Sequence, residues 1–95
     1  MTTTTYSFTE DATFDPFSDA ASKTDAIEYG ISMSGDFGGG TLTIERWNAT
    51  LADWVFVASA TEQSGIRLPV GIRTKFRAVL AGSTAPALDF SFWPI

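Results

Sequence analysis

The chain contains no cysteine and no histidine, and only six of its 95 residues are basic. Without cysteine, neither a disulfide nor a thiolate metal site can brace the fold, so stability has to come from packing. Without histidine or cysteine, the commonest general base and the strongest side-chain nucleophile are both missing. A serine nucleophile would then need a base such as lysine, and neither an S-x-x-K nor a G-x-S-x-G sequence occurs. The composition points away from an enzyme, and no cofactor is expected. No stretch approaches the roughly 18–20 apolar residues that cross a bilayer. The opening residues, MTTTTYSFTED, carry neither the basic start nor the apolar run of a signal peptide. A protein soluble where it is made, with no membrane contact, is the expectation, and the missing cysteines suit a reducing cytosol.

What is present is aromatic and apolar: eight Phe, three Trp and two Tyr in a chain that is 44% hydrophobic. That supports one domain with a modest core, burying roughly 60–65% of the surface its unfolded form exposes. The net charge of −5 is lopsided. In residues 1–40, seven acids (Glu10, Asp11, Asp15, Asp19, Asp25, Glu28 and Asp36) stand against Lys23 alone, a balance of −6, whereas residues 41–95 carry +1. Phosphate repulsion makes such a chain a poor nucleic-acid binder. Ends of unlike charge suit head-to-tail or subunit-to-scaffold contact.

Short stretches read as strands, most of them alternating apolar and polar residues with the period of two that turns one face toward a core. They are residues 4–9, 27–34, 41–47, 54–60, 66–68, 72–81 and 87–93. In the third, Leu42 and Ile44 are in phase and Trp47 is one residue out of step. The fourth is apolar on both faces, with Trp54 and Phe56 opposing Val55 and Val57, which suits a central strand or one covered by a partner. The glycine-rich residues 35–40 read as a turn and not as a phosphate loop, since a strand follows and no lysine does. Seven to eight short strands without a helical period predict an all-β fold, an antiparallel β-sandwich of immunoglobulin-like or jelly-roll-like topology. Residues 1–25 form a first strand and an acidic arm, with a turn at Asp15-Pro16 and a single helical turn over residues 18–21. The least regular part of the arm, residues 10–25, is expected to order on docking. Residues 26–95 form the sandwich body. Were the last two strands an antiparallel hairpin, their apolar faces would match with Leu80 opposite Leu88, Ala78 opposite Phe90 and Phe76 opposite Phe92, leaving Asp89 diagonal to Arg77.

The strand over residues 72–81 supplies the main candidate surface. Ile72, Phe76, Ala78 and Leu80 face inward, and Arg73, Lys75 and Arg77 face outward. That strip is either a docking surface for an acidic neighbour or a solvated face that resists aggregation. At the C-terminus, Phe90 and Phe92 take the core phase and leave Trp93 and Ile95 on the other. Together with Val55 and Val57 these two are the candidates for contact with another subunit, because tryptophan is enriched at interface centres. Asp11, Asp15, Asp19 and Asp25 do not have the spacing of a calcium loop, so they read as solvated turn acids and no metal site is expected. Trp47, Trp54 and Trp93 offer stacking platforms for a carbohydrate-binding module, although the core is expected to claim two of them.

Over residues 39–93 the order GGTLTIERWNATLADWVFV, SGIRLPVG and IRTKFRAVLAGSTAPALDFSF resembles small β-sandwich virion proteins of tailed bacteriophages. The matching positions are Gly40, Trp54, Val57, Leu68, Pro69, Gly71 and Arg77: a Gly-led strand, a W-x-x-V strand, an L-P-x-G turn and an Arg-bearing strand before a small-residue loop. The resemblance implies a non-catalytic structural protein of the virion, made in the host cytoplasm. Its leading form is a capsid decoration (cement) protein that stabilises the assembled head. The alternatives are a head–tail connector and a tail or fibre component. The implied partners are the major capsid protein or another virion protein, and further copies in a homo-oligomer.

Overall fold

Apolar and aromatic residues at alternate positions fold the described part of this chain into eight strands. The computed structural model describes residues 3–16, 28–48, 50–69 and 75–95. The strands are β1 (Thr4–Phe8), β2 (Ala12–Phe14), β3 (Glu28–Asp36), β4 (Thr41–Asn48), β5 (Asp53–Ala60), β6 (Ser64–Pro69), β7 (Phe76–Ala81) and β8 (Ala87–Pro94), with no helix among the described residues. They form two four-stranded sheets, β1-β8-β3-β6 and β2-β7-β4-β5. Every pairing is antiparallel. First pairs with last, second with seventh, third with sixth and fourth with fifth, and successive pairs fall in alternate sheets. A long ribbon folded at the β4–β5 hairpin and wrapped around its own core has this order, which is the jelly-roll alternative of the two sandwich topologies.

The inward faces carry the residues that alternation assigned to the core. Leu42, Ile44, Phe76, Ala78, Leu80, Leu88 and Phe90 are all buried. A β7–β8 hairpin is not formed, because β7 lies in the second sheet between β2 and β4 while β8 lies in the first between β1 and β3. Phe76 and Phe92 still meet, at 5.3 Å between ring centroids, but across the sandwich and not side by side. Asp89 accordingly accepts a hydrogen bond from Ser7 on β1 at 2.7 Å, and Arg77 pairs with Glu45. Alternation reports which face a residue takes. It does not report which strand lies alongside, and a five-residue loop serves a hairpin and a crossing between sheets about 10 Å apart equally well.

One further expectation is narrowed and another corrected. Of the two alternatives for β5, the central strand is excluded, because β5 lies at one edge of its sheet. Within the supposedly irregular residues 10–25, Ala12–Phe14 forms β2 and pairs with β7. Phe14 stacks on Tyr6 at 4.5 Å and so ties the two sheets together. The helical turn expected over residues 18–21, Asp19 and Asp25 all lie outside the described residues. So do Ile72, Arg73 and Thr74, so the basic strand is described only from Lys75 onward.

The segment between β1 and β2 is pinned by Asp11. Its carboxylate accepts hydrogen bonds from the Ser83 hydroxyl, from the Ser83 amide at 2.9 Å and from the Gly82 amide at 3.1 Å, in the loop joining β7 to β8. Those donors favour the ionised form, first the Ser83 hydroxyl and then the amides, and hold the carboxyl below its usual value of 3.8. A lowered carboxylate pKa stabilises the fold above the unfolded value, and that contribution is lost as pH falls through the lowered one. Thermal melts of wild type and Asp11→Asn are therefore expected to differ most at neutral pH and to converge as pH falls below about 4. Parallel melting curves down to the acid limit would contradict this role.

Candidate functional site

The two outward sheet faces differ in chemistry. On the first sheet, short hydroxyls form a polar ladder: Thr5 and Ser91 share a hydrogen bond at 2.8 Å, beside the Ser7–Asp89 contact and with Ser32 in register. Arg67 pairs with Glu28 at 2.8 Å near its edge. Trp93 also belongs to this face, its indole lying against Gly30 of β3. A β-carbon at Gly30 would stand 2.3 Å from its indole, so glycine at position 30 is what admits the ring.

On the second sheet, the outward face is aromatic and cationic, and a β-bulge creates it. Leu42 and Ile44 of β4 face Ala60 and Ala58 of β5, all on the core side. Between Ile44 and Glu45 the register shifts by one residue, leaving Val57 as the extra one. Beyond it Glu45 faces Phe56, Arg46 faces Val55 and Trp47 faces Trp54. Without that extra residue, Trp54 and Phe56 would continue the inward phase of Ala58 and Ala60. A bulge re-aims the side chains beyond it, and here it turns both rings outward.

Register then assembles two rows. Trp54, Trp47 and Lys75 make one, with the Trp47 amide donating to the Lys75 carbonyl at 2.9 Å. Phe56, Glu45 and Arg77 make the other. The two indoles meet edge to face, with centroids 5.4 Å apart. Lys75 Nζ lies 5.1 Å from the Trp47 ring and 5.4 Å from the Trp54 ring, and the Arg77 guanidinium is 4.3 Å from Trp54. Arg77 Nε donates to Glu45 Oε1 at 2.7 Å, with both side chains mostly covered. Each cation–π contact contributes about 0.5–2 kcal/mol and, more usefully, holds its cation in one place. Lys75 makes no ion pair among the described residues, so the cluster presents a surplus positive charge beside Phe56, which is 62% exposed. Fixed cations beside a bared aromatic ring suit recognition of an acidic surface.

The sequence-derived candidates are thus divided. Lys75 and Arg77 do face outward together. Val57 sits at the bulge on the sheet edge, and Val55 takes the inward phase at the rim, half-buried. Trp93 lies on the opposite sheet, and Ile95 follows it, its amide donating to the Glu28 carbonyl at 2.9 Å. The four apolar contact candidates therefore do not form one patch. None of the three tryptophans is in the buried core, against the expectation for two of them. Phe56 and Glu45 were missed as site residues. Trp47's departure from phase was the one sequence signal of an outward aromatic cluster.

No protein-family model matches the chain, and no curated protein sequence does. Solved structures do match in fold. A mitogen derived from Yersinia pseudotuberculosis superposes with a TM-score of 0.64 at 11% identity, over 99% of this chain and 86% of that one. PirA gives 0.53 at 13% identity, over 95% and 91%. The glycosylation-associated protein Gap123 complex from Streptococcus agalactiae gives 0.54 at 12%, over 94% of this chain and 33% of that one. At these identities the likeness establishes a shared β-sandwich and nothing about activity.

Proposed function

We propose that this chain is a non-catalytic attachment protein that binds an acidic protein surface through the outward face of β7, β4 and β5. The observation that carries the reading is the bulge that turns Trp54 and Phe56 outward beside the anchored Lys75 and Arg77 and leaves Phe56 exposed. Following the resemblance to virion proteins of tailed bacteriophages, the partner is the major capsid protein in the assembled head, and the chain is a decoration (cement) protein. A protein that binds only the assembled shell stabilises that shell by mass action. Jelly rolls occur in viral capsid and lectin domains alike, so the fold favours neither a virion protein nor a carbohydrate binder. The indoles of Trp47 and Trp54 already have cations over them and Trp93 lies against Gly30, which leaves little open ring face for a sugar.

Co-sedimentation with purified capsid shells tests the proposal. Wild type is expected to pellet with shells, and the double variant Lys75→Glu, Arg77→Glu to bind roughly 10–100-fold more weakly. Equal pelleting of the two, or none of the wild type, would contradict it. Copy number separates decoration from the alternative, since hundreds per virion mean a lattice while a handful mean a connector, tail or fibre component.

A further inference from the structure

Among the described residues the sandwich has four edge strands, and three are poorly suited to pairing. β2 is three residues long, β6 carries Arg67 and ends at Pro69, and β1 has five residues whose outward side chains are hydroxyls. β5 has eight residues, no proline and no charge after Asp53. Of the four most exposed large hydrophobics among the described residues, Phe56 and Val57 lie on β5 and Leu51 lies in the turn leading into it. Long, uncharged apolar edges invite another strand.

We infer that β5 pairs with β5 of a second copy, antiparallel about a two-fold axis, joining two four-stranded sheets into one of eight. Facing constraints pick the register, because a slip of one residue would set inward side chains against outward ones. With the axis between Phe56 and Val57, Trp54 meets the second copy's Ser59 on the outward side. Val55 meets Ala58 and Asp53 meets Ala60 on the inward side, each pair matching the faces these residues take against β4. The two bulges then coincide at the axis, where the outward phase changes in both copies. The two Asp53 carboxylates stand about 24 Å apart, too far to repel appreciably. Eight paired residues per copy fall well short of the roughly 20–30 per side of a standard interface, so the dimer is weak, with a micromolar to near-millimolar Kd. It is an isologous contact and does not depend on which partner the outward face binds.

Sedimentation equilibrium tests this on the intact chain. The wild-type average mass is expected to rise toward twice the monomer between micromolar and about 1 mM protein. Val57→Lys, which sets two ammonium groups together at the axis, is expected to weaken dimerisation at least tenfold with an unchanged thermal midpoint. Because the chain has no cysteine, the double variant Val55→Cys, Ala58→Cys gives a second readout. Its two thiols lie roughly 10 Å apart along one strand, beyond the ~7 Å Cα limit of a disulfide, but face each other between copies at about 4.5–5.5 Å. Oxidation should therefore yield a covalent dimer. A wild type that stays monomeric, a dimer indifferent to Val57→Lys, or a double-cysteine chain that oxidises without dimerising would each overturn the inference.

Discussion

Phe76→Ala is expected to cost about 3–5 kcal/mol of folding stability and to lower the thermal midpoint by roughly 12–30 °C. Phe76 is fully buried on β7, where its ring packs against Tyr29 at 5.2 Å and Phe92 at 5.3 Å. Both neighbours belong to the opposite sheet, so the ring is a bridge between the layers. Truncation removes its transfer energy and leaves a cavity that two hydrogen-bonded sheets cannot collapse around. No disulfide exists to hold the layers together afterwards. A domain of this size has only about 5–15 kcal/mol in total, so the variant approaches the limit of folding. Phe76→Leu, which keeps most of the volume, is expected to lose about 1–2 kcal/mol. Urea unfolding of both variants gives the comparison, and an alanine cost under about 1 kcal/mol would mean the sheets do not meet at this ring.

The second large effect concerns Gly35, at the end of β3. Its φ is +111°, outside the region that residues with a β-carbon adopt, and a β-carbon there would stand 2.2 Å from the Ala87 carbonyl oxygen. That oxygen belongs to β8, the strand paired with β3, so it cannot retreat without opening the ladder where Gly35 faces Leu88. Strain and overlap together make Gly35→Ala cost about 3–5 kcal/mol. Gly39 is the internal control: its φ is +76°, with nothing within 4 Å of the added carbon. Gly39→Ala should lose only about 1–2 kcal/mol. Equal costs by denaturant titration would show that the close approach to β8 is absent.

Much of the fold was legible because burial follows phase. Leu42 and Ile44, Phe76, Ala78 and Leu80, and Leu88, Phe90 and Phe92 all face the core as their spacing dictated. Strand pairing was not legible, since Leu80 and Leu88 share an apolar phase whether they lie side by side or face each other across a core. β2 escaped notice because three residues are too few to show a period. It is held by tertiary contacts instead, the Tyr6–Phe14 stack and the Asp11 hydrogen bonds.

For the site, the outward cations at Lys75 and Arg77 were readable from alternation alone, whereas their neighbours were not. Selecting Val55 and Val57 over Trp54 and Phe56 followed from assuming an unbroken period. The bulge at Val57 needs no glycine, so nothing in VFVAS marks it. Glu45 became visible as Arg77's partner only once β4 and β7 were known to be neighbours. Side-chain chemistry was therefore legible wherever phase sufficed, and hidden wherever one inserted residue reversed it.

The proposed attachment to capsid shells covers one flank of the sandwich and leaves the other open. Hydroxyl-radical footprinting, on chains dilute enough to be monomeric and with shells added or withheld, reads that side chain by side chain. Shells should shield Phe56 and Trp54 from oxidation while Trp93 continues to react as in the free protein. Shielding of Trp93 and Ile95 with Phe56 still reactive would contradict it.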